Sequence, residues 1–131
     1  MDFGTQTIKG TTPSKSNCYR IITVKGDKRK GEKDHAGLRK SDALAAYERA
    51  FYMQCGKYRN LNIDGFFEFY VDVYYPSQRS DLDNSLKVLL DCLQYTKTIM
   101  NDNKCVQILA RKFVDAGDPR VEFRIVTIDN H

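Results

Sequence analysis

Between Arg79 and Asp91 the chain sets Asp81, Asp83, Asn84, Lys87 and Asp91 among leucines that keep a helical spacing. At about 100° per residue, Asp83, Asn84, Lys87, Asp91 and Gln94 share a polar face. Leu82, Leu86, Leu89, Leu90 and Leu93 form the apolar stripe beside it. Lys87 lies four residues from both Asp83 and Asp91, so it can bridge two carboxylates. Downstream comes Asn101-Asp102-Asn103, and a chain folding back into the next strand could return Asp102 beside Asp81 and Asp83. Carboxylates from separate elements suit Mg²⁺, a hard ion that takes oxygen ligands and keeps some of its water. Such an ion offsets charge on a reacting phosphate and lowers the pKa of a bound water, and Lys87 would add a point charge to phosphate or leaving oxygen.

The same residues have a plainer reading. Ser80 with Asp83 resembles a weak capping box, and aspartates in a first turn suit the helix dipole. Lys87 would then be an exposed helix pair worth roughly 0.3–0.5 kcal/mol per partner. The dipole argues mildly against a cation at that end, so the carboxylates would have to outweigh it. Spacing alone leaves capping and metal binding both open.

Other chemistries have little to work with. Histidine is confined to His35 and His131, and no Ser-His-Asp or Cys-His order is visible. Cys18, Cys55, Cys92 and Cys105 form no Cys-x-x-Cys pair, which speaks against zinc and for reduced, mostly buried thiols acting as small hydrophobes.

The elements that must position the acids follow from periodicity. The 131 residues are read as a single domain, 1–131, with 41% hydrophobic and 29% charged residues, an ordinary globular balance. No apolar run is long enough to span a membrane, and 1–5 lacks a signal-peptide pattern, so the expected location is cytoplasmic. Residues 1–17 are polar and read as turn or extended chain; 19–24 is β-branched and strand-like. Asp42 could cap a helix to about Tyr58, with Leu44, Tyr47, Phe51 and Cys55 on one face. Phe67, Phe69, Val71, Val73 and Tyr75 alternate with Glu68, Tyr70, Asp72 and Tyr74, the pattern of a half-buried strand ended by Pro76. The acidic helix follows, starting at Ser80 or Asp81; then an extended segment over 104–114, a turn at Gly117-Asp118-Pro119, and a last strand carrying Val121, Phe123 and Ile125. The expected fold class is α/β in the α+β sense, a mixed β-sheet packed with two main helices.

The formal net charge is +4, and its distribution says more than its size. Residues 25–40 carry Lys25, Lys28, Arg29, Lys30, Lys33, Arg39 and Lys40 against Asp27, Glu32 and Asp34. This segment reads as a mobile basic loop able to meet nucleic-acid phosphates, or simply as a solvated one.

The run Asp81-Leu82-Asp83-Asn84-Ser85-Leu86-Lys87, with Asp91 after it and Asn101-Asp102 closing the segment, resembles the signature of RusA-type Holliday-junction resolvases. The preceding strand with Pro76 fits, and Pro13-Ser14-x-x-Asn17-x-Tyr19-Arg20 resembles the family's N-terminal segment. The likeness runs from about Pro13 to Ile128, strongest at 81–102 and weakest between Lys25 and Arg59. It implies a small homodimeric endonuclease that cuts four-way DNA junctions in recombination and repair, with Mg²⁺ as cofactor and Mn²⁺ as a substitute. It also implies a nucleoid-associated protein of a bacterium or phage. Carried over by residue, Asp81, Asp83 and Asp102 hold the metal, Lys87 completes the catalytic set, and Asn84 and Asp91 support it. Arg20, Lys25, Lys28, Arg29, Lys30 and Arg79 are the candidate DNA contacts. A junction has approximate two-fold symmetry, which an isologous dimer matches with two sites. Two departures stand out: Asn101 occupies a position where the family often has an acid, and the arginines before the motif are reduced to Arg79, followed by Ser80. The rival readings are a non-catalytic branched-DNA-binding protein, a metal nuclease for other branched nucleic acids, and an interaction domain whose acids only cap a helix.

Overall fold

The computed structural model describes residues 1–14 and 18–129. In chain order its elements are β1 (Gln6–Lys9), β2 (Tyr19–Val24), β3 (His35–Lys40), α1 (Asp42–Gln54), β4 (Phe67–Tyr75), α2 (Leu82–Tyr95), β5 (Cys105–Val114) and β6 (Arg120–Thr127). The alternation of 67–75 is realised as expected: the five odd-numbered residues of β4 are buried and the even ones half-buried. β4 is central in a mixed sheet of order β1-β6-β4-β5, antiparallel to β6 and parallel to β5. Parallel strands need a crossover, and α2 supplies it.

The register pairs Val71 with Phe123 and Phe69 with Ile125, so the buried residues of both strands share one face. That face joins α1 and α2 in a single core containing Leu44, Phe51, Tyr58, Val88, Leu89 and Leu93. Phe51 stacks on Phe123 with ring centres 5.6 Å apart, and Tyr58 lies 5.0 Å from the same ring. On the opposite face of the sheet, several charges are matched among the described residues. Arg111 holds the Asp72 carboxylate with two 2.8 Å bonds, while Arg120 and Arg124 lie over Tyr74 and Tyr70.

Several boundaries differ from the sequence reading. The α1 cap is Ser41, whose Oγ accepts from the Leu44 N–H, rather than Asp42, and the helix stops at Gln54 rather than near Tyr58. In α2 the buried residues are Ser85, Val88, Leu89, Cys92 and Leu93; Leu82, Leu86 and Leu90 only flank the core. The polar N-terminus contains β1, held by pairing with β6, a partner more than a hundred residues away that local pattern does not disclose. Segment 25–40 is not a plain loop: β3 pairs along its whole length with β2, and a 3₁₀ turn covers Lys28–Lys30. Gly26 makes this tip possible, because a Cβ there would lie 2.6 Å from the Glu32 and Lys33 carbonyl oxygens. Gly31 closes the turn at φ 72°, a left-handed conformation that favours glycine. All four cysteines are free, and Cys18, Cys55 and Cys92 are buried.

Candidate active site

α2 begins where β4 ends, and two contacts fix that junction. The hydroxyl of buried Tyr75, the last residue of β4, bonds Ser85 Oγ at 2.6 Å and reaches the Asp81 carbonyl at 3.4 Å. A serine on the buried side of the helix therefore has a packing reason: it is the partner of the strand's final tyrosine. Asp81 is the N-cap residue by backbone position, but its carboxylate makes no capping bond to the helix. Its Oδ2 instead lies 3.5 Å from the Asn84 amide, at the limit of a hydrogen bond. The capping reading of these acids thus loses its main support. Asp81 and Asp83 are both exposed, and among the described residues no lysine or arginine is paired with either.

One turn further along, the polar face closes on itself. Lys87 Nζ lies 2.9 Å from Asp102 Oδ2 and 3.2 Å from Asp91 Oδ1. Asp102 is placed by the short turn Asp102–Lys104 leading into β5, and its N–H donates to Gln94 Oε1 at 2.7 Å. Asn101 caps this turn by accepting from the Asn103 N–H at 3.0 Å. An amide therefore serves there where the resembling family often has an acid. The hydrogen bonds from Lys87 to Asp102 and then to Asp91 raise its pKa against the opposing pull of burial, so the ammonium stays charged.

Lys87, Asp91 and Asp102 are thus brought together, with Asp83 about one helical turn, or 6 Å of axial rise, away. Among the described residues, no group of three or more His, Cys, Asp or Glu side chains is arranged to hold a metal ion. The donor types suit a hard cation, and Asp102 is also paired with Lys87. A small cleft lined by Cys18, Tyr19, Leu44, Lys87, Val88 and Asp91 joins this face to the base of the β2–β3 hairpin.

That hairpin base is itself anchored. Lys40 Nζ bonds both carboxylate oxygens of Glu48, at 3.0 and 3.1 Å, and Glu48 is only 6% exposed. This hydrogen bond raises the Lys40 pKa. The Ser41 N–H donates to the Cys18 carbonyl at 2.8 Å. Sequence reasoning missed Glu48, although an acid at position 48 on the apolar face of Leu44, Tyr47 and Phe51 is the signal that would have found it. It also missed the placing roles of Gln94, Tyr75 and Ser85.

The candidate DNA contacts scatter around this centre. Lys25, Lys28, Arg29 and Lys30 are exposed at the hairpin tip, with Lys28 paired to Asp34 at 3.3 Å. Arg79 is exposed in the turn before α2. Arg20 has its backbone in β2, but its side chain lies outside what is described, and Asn17 is among the undescribed residues.

Fold and site together define the class: a small α+β domain whose crossover helix presents a carboxylate–lysine face. A family model described as endodeoxyribonuclease RusA matches residues 21–126, most of the chain, and the chain belongs to that family. Membership implies an endonuclease that resolves Holliday junctions. The match includes the acidic helix and Asp102 but leaves out the N-terminal segment from Pro13 to Arg20. A search of curated proteins finds no match.

Proposed function

We propose that the protein cuts opposed strands of four-way DNA junctions by metal-dependent hydrolysis of phosphodiesters, acting as a homodimer in recombination and repair. The observation that carries this reading is the pair Asp81 and Asp83, exposed and without cationic partners among the described residues, one to two turns before Lys87 of the Lys87–Asp91–Asp102 cluster in a chain of this family. The chemistry supplied by bound Mg²⁺ (or Mn²⁺) is charge for the reacting phosphate and a water of lowered pKa. Asp81, Asp83 and Asp102 would hold it, and Asn84 would orient the Asp81 carboxylate it touches. The ammonium of Lys87, paired with Asp91 and Asp102, would meet a phosphate oxygen. Gln94 keeps Asp102 at the helix, its Oε1 accepting from the Asp102 backbone N–H. The cations of the hairpin tip would bind neighbouring phosphates and release their counterions.

The test is Asp83→Asn on a labelled synthetic junction. The variant should bind like wild type and lose cleavage by at least about a hundredfold, the usual scale for an electrostatic group at a reacting centre. Cleavage at the wild-type rate would overturn the assignment. A second reading, a junction-binding protein without turnover, is favoured by one observation: Asp102 is bonded to Lys87 and no three carboxylates gather among the described residues. It predicts tight junction binding and no incision with any divalent ion.

A further inference from the structure

The hairpin β2–β3 has almost none of the features that make the rest of the fold stable. From Tyr19 to Lys40 no described side chain is buried. An isolated two-stranded hairpin is marginal in water, and this one is tied to the body at its base, through Lys40–Glu48 and Ser41–Cys18. Yet Ile21 and Leu38 are directly opposed across it, 79% and 74% exposed. Opposed residues lie on the same face, and the period of two puts Ile21 on the face of Tyr19. Tyr19 lines the cleft with Lys87 and Asp91. The apolar pair therefore projects from the cleft side of the arm, about 7 Å further out along the strand than Tyr19.

Charge indicates what covers it. Residues 19–40 hold eight lysines and arginines against three acids, so the arm carries more net positive charge than the whole chain's +4. A second copy would bring another basic arm; a polyanion complements this one. Apolar side chains set among cations on a projecting element match the way DNA-bending proteins insert aliphatic wedges between base steps while cations hold the flanking phosphates.

We propose that Ile21 and Leu38 form a wedge that unstacks bases of a DNA branch while the arm's cations grip its backbone, presenting the opened strand to the acidic face. This rests on the junction-nuclease reading and adds to it the element that distorts the substrate. At a branch point, stacking is already interrupted, so a short aliphatic pair meets less resistance there than in continuous duplex.

The experiment places 2-aminopurine next to the branch of a four-way junction and compares wild type with the double variant Ile21→Thr and Leu38→Thr. Threonine keeps β-propensity, and both sites are largely exposed, so the variant should melt like wild type. Binding of wild type should raise the fluorescence. The variant should lose that rise and about tenfold in junction affinity, while binding linear duplex as wild type does. Equal fluorescence rise and affinity in the two proteins overturn the wedge. Wild type that cuts junctions without any fluorescence rise overturns the wedge and leaves the nuclease reading standing. Wild type that neither binds nor cuts overturns both. A variant that sediments as a smaller species than wild type overturns the wedge in favour of a contact between copies.

Discussion

The helix-covered sheet and the β2–β3 arm solve opposite problems with the same chain. In the sheet, alternate residues of β4 and β6 are driven into one aromatic core, and even the outward charges are answered, Asp72 by Arg111 and Arg120 by Asp115 and Glu122. In the arm nothing described is buried, and many cations exceed few acids. A region that answers its own charges has little left to offer a polyanion, whereas one that leaves them exposed contributes little to folding and keeps them available to a polyanion. The acidic face of α2 lies where the two meet, positioned by the sheet through Tyr75 and Ser85 and bordered by the arm through Tyr19.

Substitutions in the core should break this contrast most sharply. Phe51→Ala removes a ring stacked on Phe123 and should cost about 3–5 kcal/mol in urea unfolding. Ile21→Ala in the arm should stay within about 0.5 kcal/mol of wild type. Equal costs would mean the arm shares the core's stability.

A smaller effect is expected at the arm's anchor. Glu48→Gln should cost about 1–3 kcal/mol, since a buried acceptor loses its ion pair, and should speed hydrogen exchange across β2 and β3. Because the bridge raises the Lys40 pKa, its contribution is complete below the ordinary lysine value of 10.5 and is lost only as pH climbs through the higher folded value. The stability gap between wild type and Glu48→Gln should therefore be flat from about pH 6 to pH 9 and close only in strong alkali. A gap that closed near neutrality would assign the stability to another group.

The mildest change for the fold is at the tip. Replacing Lys28, Arg29 and Lys30 by alanine should leave the melting temperature unchanged. The dependence of log affinity for duplex DNA on log salt should become shallower by about 0.9 for each phosphate that the variant no longer neutralises. An unchanged slope would move the phosphate-binding cations off the arm.

How far the sequence discloses this depends on the range of the interaction. The half-buried strand, the two helices and the polar face of α2 are local patterns, and residues 42–54 and 67–95 show them directly. β1 depends on a register with β6 set at the far end of the chain, and the arm's second strand has no apolar alternation because neither face is buried. The return of Asp102 to α2 follows from the crossover topology, but its partners do not: spacing offers no reason to prefer Lys87 and Gln94 over the acids at the helix start. The Glu48 anchor is hidden because a lone acid on an apolar face needs its cation, Lys40, to be seen beside it.

The central claim is that the α2 face is a cation-requiring catalytic site rather than a set of helix-surface charges. The most direct measurement is incision of an end-labelled four-way junction by purified protein, with Mg²⁺ or Mn²⁺ added and then withdrawn by chelator. The account predicts paired nicks on opposed strands that appear only with the divalent ion. A junction that is bound yet left intact across all ion concentrations would contradict it.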